Sequence, residues 1–259
     1  MVEIYTKQSL IEKLRQIRDM GWILGRRQGN AGNVGNTLEL EDLLGIQENN
    51  LPIPNAAEWE LKCQRSNTSS LTTLFHMEPS PTALKFVPNI LLLKYGWPHR
   101  GAGIVYPENE RSFRQTLSAL YRTDRGFGLV LDKTEQKILV SFDSSAVSGE
   151  HAQWLQNIEK KELDPQPYWG FDDVFHKAGT KLLNCFYVVA DVKKEDGAEY
   201  FFYKTIMKLS RFSRDKFLAA IENGDVLIDF DARTGHNHGT KFRFKNGKLP
   251  ELYDEVEVI

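Results

Sequence analysis

The chain has 259 residues, 41% hydrophobic and 26% charged, an ordinary globular composition with room for one large domain or two lobes sharing a core. A formal charge of −2 excludes a global basic bias toward nucleic acid, although a local basic face would serve that purpose equally well. The two cysteines, Cys63 and Cys185, lie too far apart for a zinc knuckle; buried free thiols in a reducing cytoplasm are favoured over a disulfide.

Leu10, Ile11, Leu14 and Ile17 recur at helical spacing among charged residues and predict an amphipathic helix, started by Thr6 and ended near Gly21. Residues 25–36 carry four glycines and read as a loop. A second helix is expected from Thr37 to Leu44, closed by Gly45, and Pro52 and Pro54 hold the next segment extended or in turns. From Glu58 to Arg65 the residues alternate. Trp59, Leu61 and Cys63 share one face, and Glu58, Glu60, Lys62 and Gln64 share the other, as in a half-buried strand. Ser70–His76 reads as a neighbouring strand, and Leu84–Tyr95 as a buried segment of open type.

Further along, Phe127–Leu131 and Lys137–Phe142 read as a hairpin, and Trp169–Leu182 as a helix. Cys185–Val192 and Tyr200–Leu209 read as a strand pair, the aromatic run at 200–203 being core. Ser213–Glu222 is a helix stopped by Asn223 and Gly224, followed by a strand at Val226–Phe230, a polar loop at Thr234–Thr240 and a strand at Lys241–Lys245. The longest apolar run, near Ile90–Leu93, is too short to span a bilayer, and no signal segment opens the chain, so a soluble cytoplasmic protein with no membrane contact is expected. Helices and strands are mixed throughout, which gives an α/β or α+β class.

Glu60 and Lys62 stand two apart on one strand face. Taken alone, Glu-x-Lys is too common to carry meaning, and a solvated strand face explains it. The preceding turn changes this, because it completes the pattern Pro54, Asn55, four residues, Glu60, one residue, Lys62. Phosphodiester hydrolysis needs a hard cation on oxygen ligands, an oriented water and neutralisation of charge building on the phosphorane. Glu60 is the candidate carboxylate ligand for Mg2+, Lys62 the candidate lysine for the transition state, and Glu39 a second candidate acid.

Several patches then resemble the MvaI/BcnI family of type II restriction endonucleases, relatives of the nicking enzyme MutH. They are Gly-Asn-Thr-Leu-Glu at 35–39, Glu-Asn-Asn-Leu at 48–51, Glu-Trp-Glu-Leu-Lys at 58–62, Leu-Thr-Thr-Leu-Phe-His at 71–76, Ile-Glu-Asn-Gly-Asp at 221–225, and His236 to Thr240 followed by Phe242 and Arg243. The resemblance implies a PD-(D/E)xK restriction-endonuclease-like fold: a mixed sheet flanked by helices, in two lobes that form a DNA cleft. It implies a monomer that cleaves double-stranded DNA at a short G/C-rich interrupted palindrome with magnesium. A cognate DNA methyltransferase is expected in the same host.

By motif, Glu60 is the metal carboxylate, Lys62 the catalytic lysine, and His76 a histidine at the edge of the active site. Asn55 falls where the family places its first metal-binding aspartate. Either Glu58 or Glu39 supplies the missing charge, or Asn55 is an inactivating substitution. The alternatives to a restriction enzyme are a MutH-like nicking enzyme and a weakened DNA-binding relative.

For base readout the candidates are His236, Asn237 and His238, with Arg233, Lys241 and Arg243 around them, and Arg65 beyond the Glu60 strand is a candidate phosphate contact. Residues 201–250 carry ten Lys and Arg against five Asp and Glu, a local excess suited to a phosphate backbone. His and Arg can donate to guanine in the major groove. A metal site or a plain polar loop remains the competing account of His236 and His238. Residues 1–165 are expected to form mainly the catalytic lobe and 166–259 mainly the recognition lobe, with interleaving of the two left open. The acidic segment from Glu251 to Glu257 is expected to face away from DNA.

Overall fold

The computed structural model describes residues 5–25, 39–46 and 58–259. The prolyl turn with Asn55, and the glycine loop beyond Gly25, lie outside the described residues. The chain divides into two compact units that interleave in sequence. Unit 1 is Met1–Thr72, Ala178–Phe217 and Phe244–Ile259; unit 2 is Thr73–Lys177 and Leu218–Arg243. The division expected at 165 therefore falls inside unit 2.

Unit 1 is built on a mixed sheet. Its described strands run in the order Ile23–Leu24, Ala198–Phe212, Asn184–Glu195, Glu60–Arg65, and Tyr253–Val258 pairs with Ala198–Phe212. Asn184–Glu195 and Ala198–Phe212 are antiparallel, as their alternation predicts, and Glu60–Arg65 lies parallel to the former, Glu60 opposite Cys185. The Lys7–Asp19 helix covers one face. Thr6 caps it by accepting from the Ser9 amide, the Ser9 hydroxyl closes the box, and Leu10, Ile11, Leu14 and Ile17 are buried. They pack with Leu40, Leu44, Leu61, Cys63, Phe186, Val188, Tyr203 and Ile206 in one apolar cluster. This is the burial that the period-2 pattern of the Glu60–Arg65 strand asks for.

Unit 2 holds two sheets. One runs Thr72–His76, Lys241–Phe244, Val226–Arg233, Arg111–Leu117, Trp97–Pro98, with His236–Asn237 folded back on Val226–Arg233; the other joins Arg125–Asp132, Lys137–Val147 and Tyr168–Gly170. Aromatic rings fill the core. Phe113 meets Phe127 and Phe230 edge-on at 5.3 and 5.5 Å between ring centroids. Trp169 and Phe171 are buried, as packing residues.

The expected helix at 213–222 appears as Arg214–Glu222, and Gly224 at φ +66° makes the left-handed stop. Two of the longer strands had no expectation attached. Arg111–Leu117 offers only Phe113 and Leu117 to the core, and Tyr253–Val258 is acidic and largely exposed. Among the described residues no helix is long and apolar enough to cross a membrane.

Candidate active site and recognition loop

The polar face of the Glu60–Arg65 strand is not solvated. Glu60 is 1% exposed and Gln64 is fully buried, while Lys62 is half-buried and Glu58 stands exposed in the turn before the strand. Lys62 Nζ lies 2.7 Å from Glu60 Oε1, as residues two apart on one strand face allow. A second ammonium, Lys181 Nζ, lies 3.6 Å from the same oxygen.

Local structure explains the meeting. Lys181 closes the Phe171–Leu182 helix, which leads directly into Asn184–Glu195, the strand whose Cys185 faces Glu60 in register. No sequence spacing connects residues 60 and 181, so Lys181 was not among the expected site residues. The one available signal was its place in the last helical turn before a strand.

Cys185 stands opposite Glu60 in register, and Tyr253 lies near enough for the charge of Glu60 to act on it. Burial pushes the Cys185 thiol up, and the charge of Glu60 adds to the rise. Burial also pushes the Tyr253 hydroxyl well above its ordinary value, helped by Cys185 and Glu60. Both groups stay neutral, so the ionic character of the site rests on Glu60 and the two lysines. Gln64 is fixed further along the strand, its Oε1 accepting from the Tyr187 hydroxyl and from the Gly247 amide.

A buried ion pair is weak as a stability device, since desolvation costs several kcal/mol per ion and apolar side chains of the same volume do as well. Such a group on an otherwise well-packed sheet is better explained by chemistry. Glu60 Oε2 is buried with no hydrogen-bond partner among the described residues. It is a hard oxygen donor, of the kind a magnesium ion takes, so the site fits the divalent cation expected there.

The other expected acids are placed differently. Glu39 is buried on the helical turn at 39–43, where its charge acts with that of Asp42 to raise Tyr203, after burial as the main cause. Arg65 makes a two-pronged contact with Glu199 at 2.8 and 3.2 Å and stacks over Phe201. That hydrogen bond to Arg65 is the largest cause holding the Glu199 carboxyl below its usual range. Among the described residues, Asp124, Glu150 and His151 could gather on a metal, their ligand atoms within 4.8 Å of one another; they belong to unit 2 and include no expected ligand.

Unit 2 carries the histidine loop. His236, Asn237 and His238 are exposed at its tip, the two imidazoles 4.2 Å apart between centroids. Glu78 anchors the base: its carboxylate accepts from the Thr240 backbone N–H at 3.0 Å, the Thr240 hydroxyl at 3.1 Å and the Asn237 side-chain Nδ2 at 3.3 Å. Gly239, at φ +80°, passes so close to His76 that a Cβ there would lie 3.2 Å from the His76 ring. The fold thus brings His76 beside this loop.

The basic residues around the loop are already partnered. Arg243 binds Asp229 at 3.0 Å, Lys241 and Arg114 bind Asp231 at 3.2 and 2.7 Å, and Arg233 binds Glu110 at 2.9 Å while stacking over Tyr106. Burial raises Asp231, but the hydrogen bonds and charges of Arg114 and Lys241 outweigh it and hold the carboxyl low. In unit 1, Lys208 pairs with Glu257, and Arg211 with Asp254 and Glu255, on the acidic C-terminal strand. Much of the local basic excess is therefore neutralised in place, and the histidines and Asn237 are the most accessible candidates for reading bases.

The sequence model of the MvaI/BcnI restriction endonuclease family matches residues 11–253. Among solved structures, the chain is similar to a complex of restriction endonuclease MvaI with its cognate DNA substrate: TM-score 0.76, 24% identity, covering 98% of this chain and 99% of that one. It is also similar to MvaI in the absence of DNA, with TM-score 0.53 and 23% identity, each chain covered in full. No curated protein matches the chain.

Proposed function

This chain belongs to the MvaI/BcnI restriction endonuclease family, and from that premise we propose a magnesium-dependent type II enzyme that cuts a short G/C-rich interrupted palindrome one strand at a time. The protein is a site-specific deoxyribonuclease, a DNA-cleaving restriction enzyme with the MvaI fold. The magnesium part of this reading is supported by one observation: the buried Glu60, gripped on Oε1 by lysine and left with Oε2 free of hydrogen bonds among the described residues.

Glu60 Oε2 would hold the magnesium, with Asn55 and Glu58 as the other candidate ligands; when bound, the ion polarises a phosphoryl oxygen and acidifies a coordinated water. The protein's own part is electrostatic. Lys62 supplies a cation where charge builds on the phosphorane, and the sheet holds it within reach of Glu60 before DNA arrives. The apolar face behind the strand fixes the backbone, so the charged atoms need little reorganisation.

Double-stranded DNA is the proposed substrate, supported by the cognate DNA in the similar MvaI complex. His236, Asn237 and His238 are the proposed base-reading groups, with His76 beside their loop. A protein that cuts a short site endangers its own genome, so a methyltransferase protecting that site is proposed as its cellular partner, with both acting in the cytoplasm.

A monomer with one Glu60–Lys62 pair must cut the two strands in succession. On supercoiled plasmid with magnesium, open-circular DNA should rise before linear product, without any added protein. Linear product with no nicked precursor at any enzyme dose would overturn the one-strand order. Nicking that never proceeds to linear would favour a MutH-like enzyme.

A further inference from the structure

Two ammonium groups share one oxygen of Glu60, which is one more than neutralisation needs. Lys62 is 2.7 Å away and Lys181 is 3.6 Å away, both on Oε1, with side-chain exposures of 13% and 23%. The negative end of the helix dipole explains a lysine in the last turn of Phe171–Leu182. It does not explain why that lysine is mostly buried and directed at Glu60 in the neighbouring strand.

We propose that Lys181 is a positioning residue for cleavage, which holds Glu60 Oε1 when Lys62 turns to the DNA. Lys62 has two tasks that conflict. It neutralises a buried carboxylate, and in the proposed mechanism it must attend the phosphate. Moving it alone would strand the buried Glu60 charge, which is costly. Lys181 is close enough to keep that oxygen neutralised, and so sets Lys62 free.

The same arrangement has a second consequence. Glu60, Lys62 and Lys181 together carry a net positive charge. That charge opposes a divalent cation at Oε2 until phosphate enters, so full metal occupancy should be coupled to DNA binding. Lys181 acts through Glu60 and not on the DNA.

This inference rests on the proposed function. The test compares wild type, Lys181→Met and Lys181→Arg in three measurements: single-turnover cleavage of an oligonucleotide duplex, DNA affinity as a function of salt without metal, and Mn2+ binding to free protein by electron paramagnetic resonance. Lys181→Met should cleave slower by about 10²-fold, the size of effect seen when one preorganised electrostatic group is removed. Its DNA affinity and salt slope should be unchanged. It should bind Mn2+ several-fold more tightly, because a repelling charge has gone. Lys181→Arg should recover much of the rate.

Should the Met variant lose its cooperative thermal transition, Lys181→Gln takes its place, with the same expectations. A normal single-turnover rate in the Met or Gln variant would overturn the proposal. So would a rate loss matched by weaker DNA binding and a salt slope reduced by about 0.9, the sign of a plain phosphate contact. Failure of the wild-type protein to cleave at all would overturn the function proposed above instead.

Discussion

In the sequence motif Asn55 falls where the family carries an aspartate, and among the described residues Glu60 is the buried carboxylate of the proposed site. An amide oxygen can touch magnesium but brings no charge to offset the two lysines on Glu60. Asn55→Asp should therefore keep or raise the initial cleavage rate at limiting magnesium, by up to about tenfold, or ~1.4 kcal/mol. Loss of activity in that variant would mean that the amide itself is required. At the histidine loop, the exposed His238 can be removed with little effect on the anchored base. His238→Ala should leave the fold stable and reduce discrimination against single-base variants of the site by about 1–3 kcal/mol, read as a ratio of cleavage rates. Equal selectivity in the two proteins would remove His238 from the readout. The types and spacing of Glu60, Lys62, His236 and His238 were legible in the sequence. The partners of Arg243, Lys241 and Arg65 were not, because Asp229, Asp231 and Glu199 meet them only through strand pairing.

At the scale of elements, the polar face of the Val226–Arg233 strand is a ladder of acids and bases. Asp229 and Asp231 bridge to Arg243 and Lys241 on one neighbouring strand, and to Thr116 and Arg114 on the other. Such partly exposed pairs contribute about 0–1 kcal/mol each, so the ladder specifies register more than it adds stability. The folded carboxyl of Asp231 lies below its unfolded value. Its contribution is thus complete above the ordinary Asp value of about 3.9 and is lost as pH falls through the lowered folded value. Asp231→Asn should lower the melting temperature by a few degrees near neutral pH, roughly 2–4 °C per kcal/mol for a chain of this class. The gap between variant and wild type should close toward strongly acid pH; a gap independent of pH would contradict the assignment. The strongly patterned elements, Lys7–Asp19, the hairpin around Gln136 and the Asn184–Glu195 and Ala198–Phe212 pair, were legible from periodicity. Arg111–Leu117 and Tyr253–Val258 were not, because they bury few side chains and owe their extended form to the neighbours they pair with.

At the scale of the whole molecule, the chain crosses between its two units more than once, so each unit is assembled from distant segments. A division by position along the chain has no access to this, since the pairing of Glu60–Arg65 with Asn184–Glu195 spans more than a hundred residues. The same crossing delivers Lys181 to Glu60, and it leaves the histidine loop in the other unit. The proposed Glu60–Lys62 pair and the proposed base-reading residues therefore belong to separate cores, and a change in one core should leave the proposed role of the other intact. Metal-dependent, site-specific DNA cleavage is proposed to proceed at Glu60 and Lys62. The most direct test is to incubate wild-type protein, Glu60→Gln and Lys62→Met with magnesium and a DNA of known sequence, and to map every end formed. The wild type should give ends at one short recurring G/C-rich site and none without the metal, and both variants should cut at rates lower by at least about 10²-fold. Ends at that site at an undiminished rate in either variant, or ends scattered without a common sequence, would contradict it.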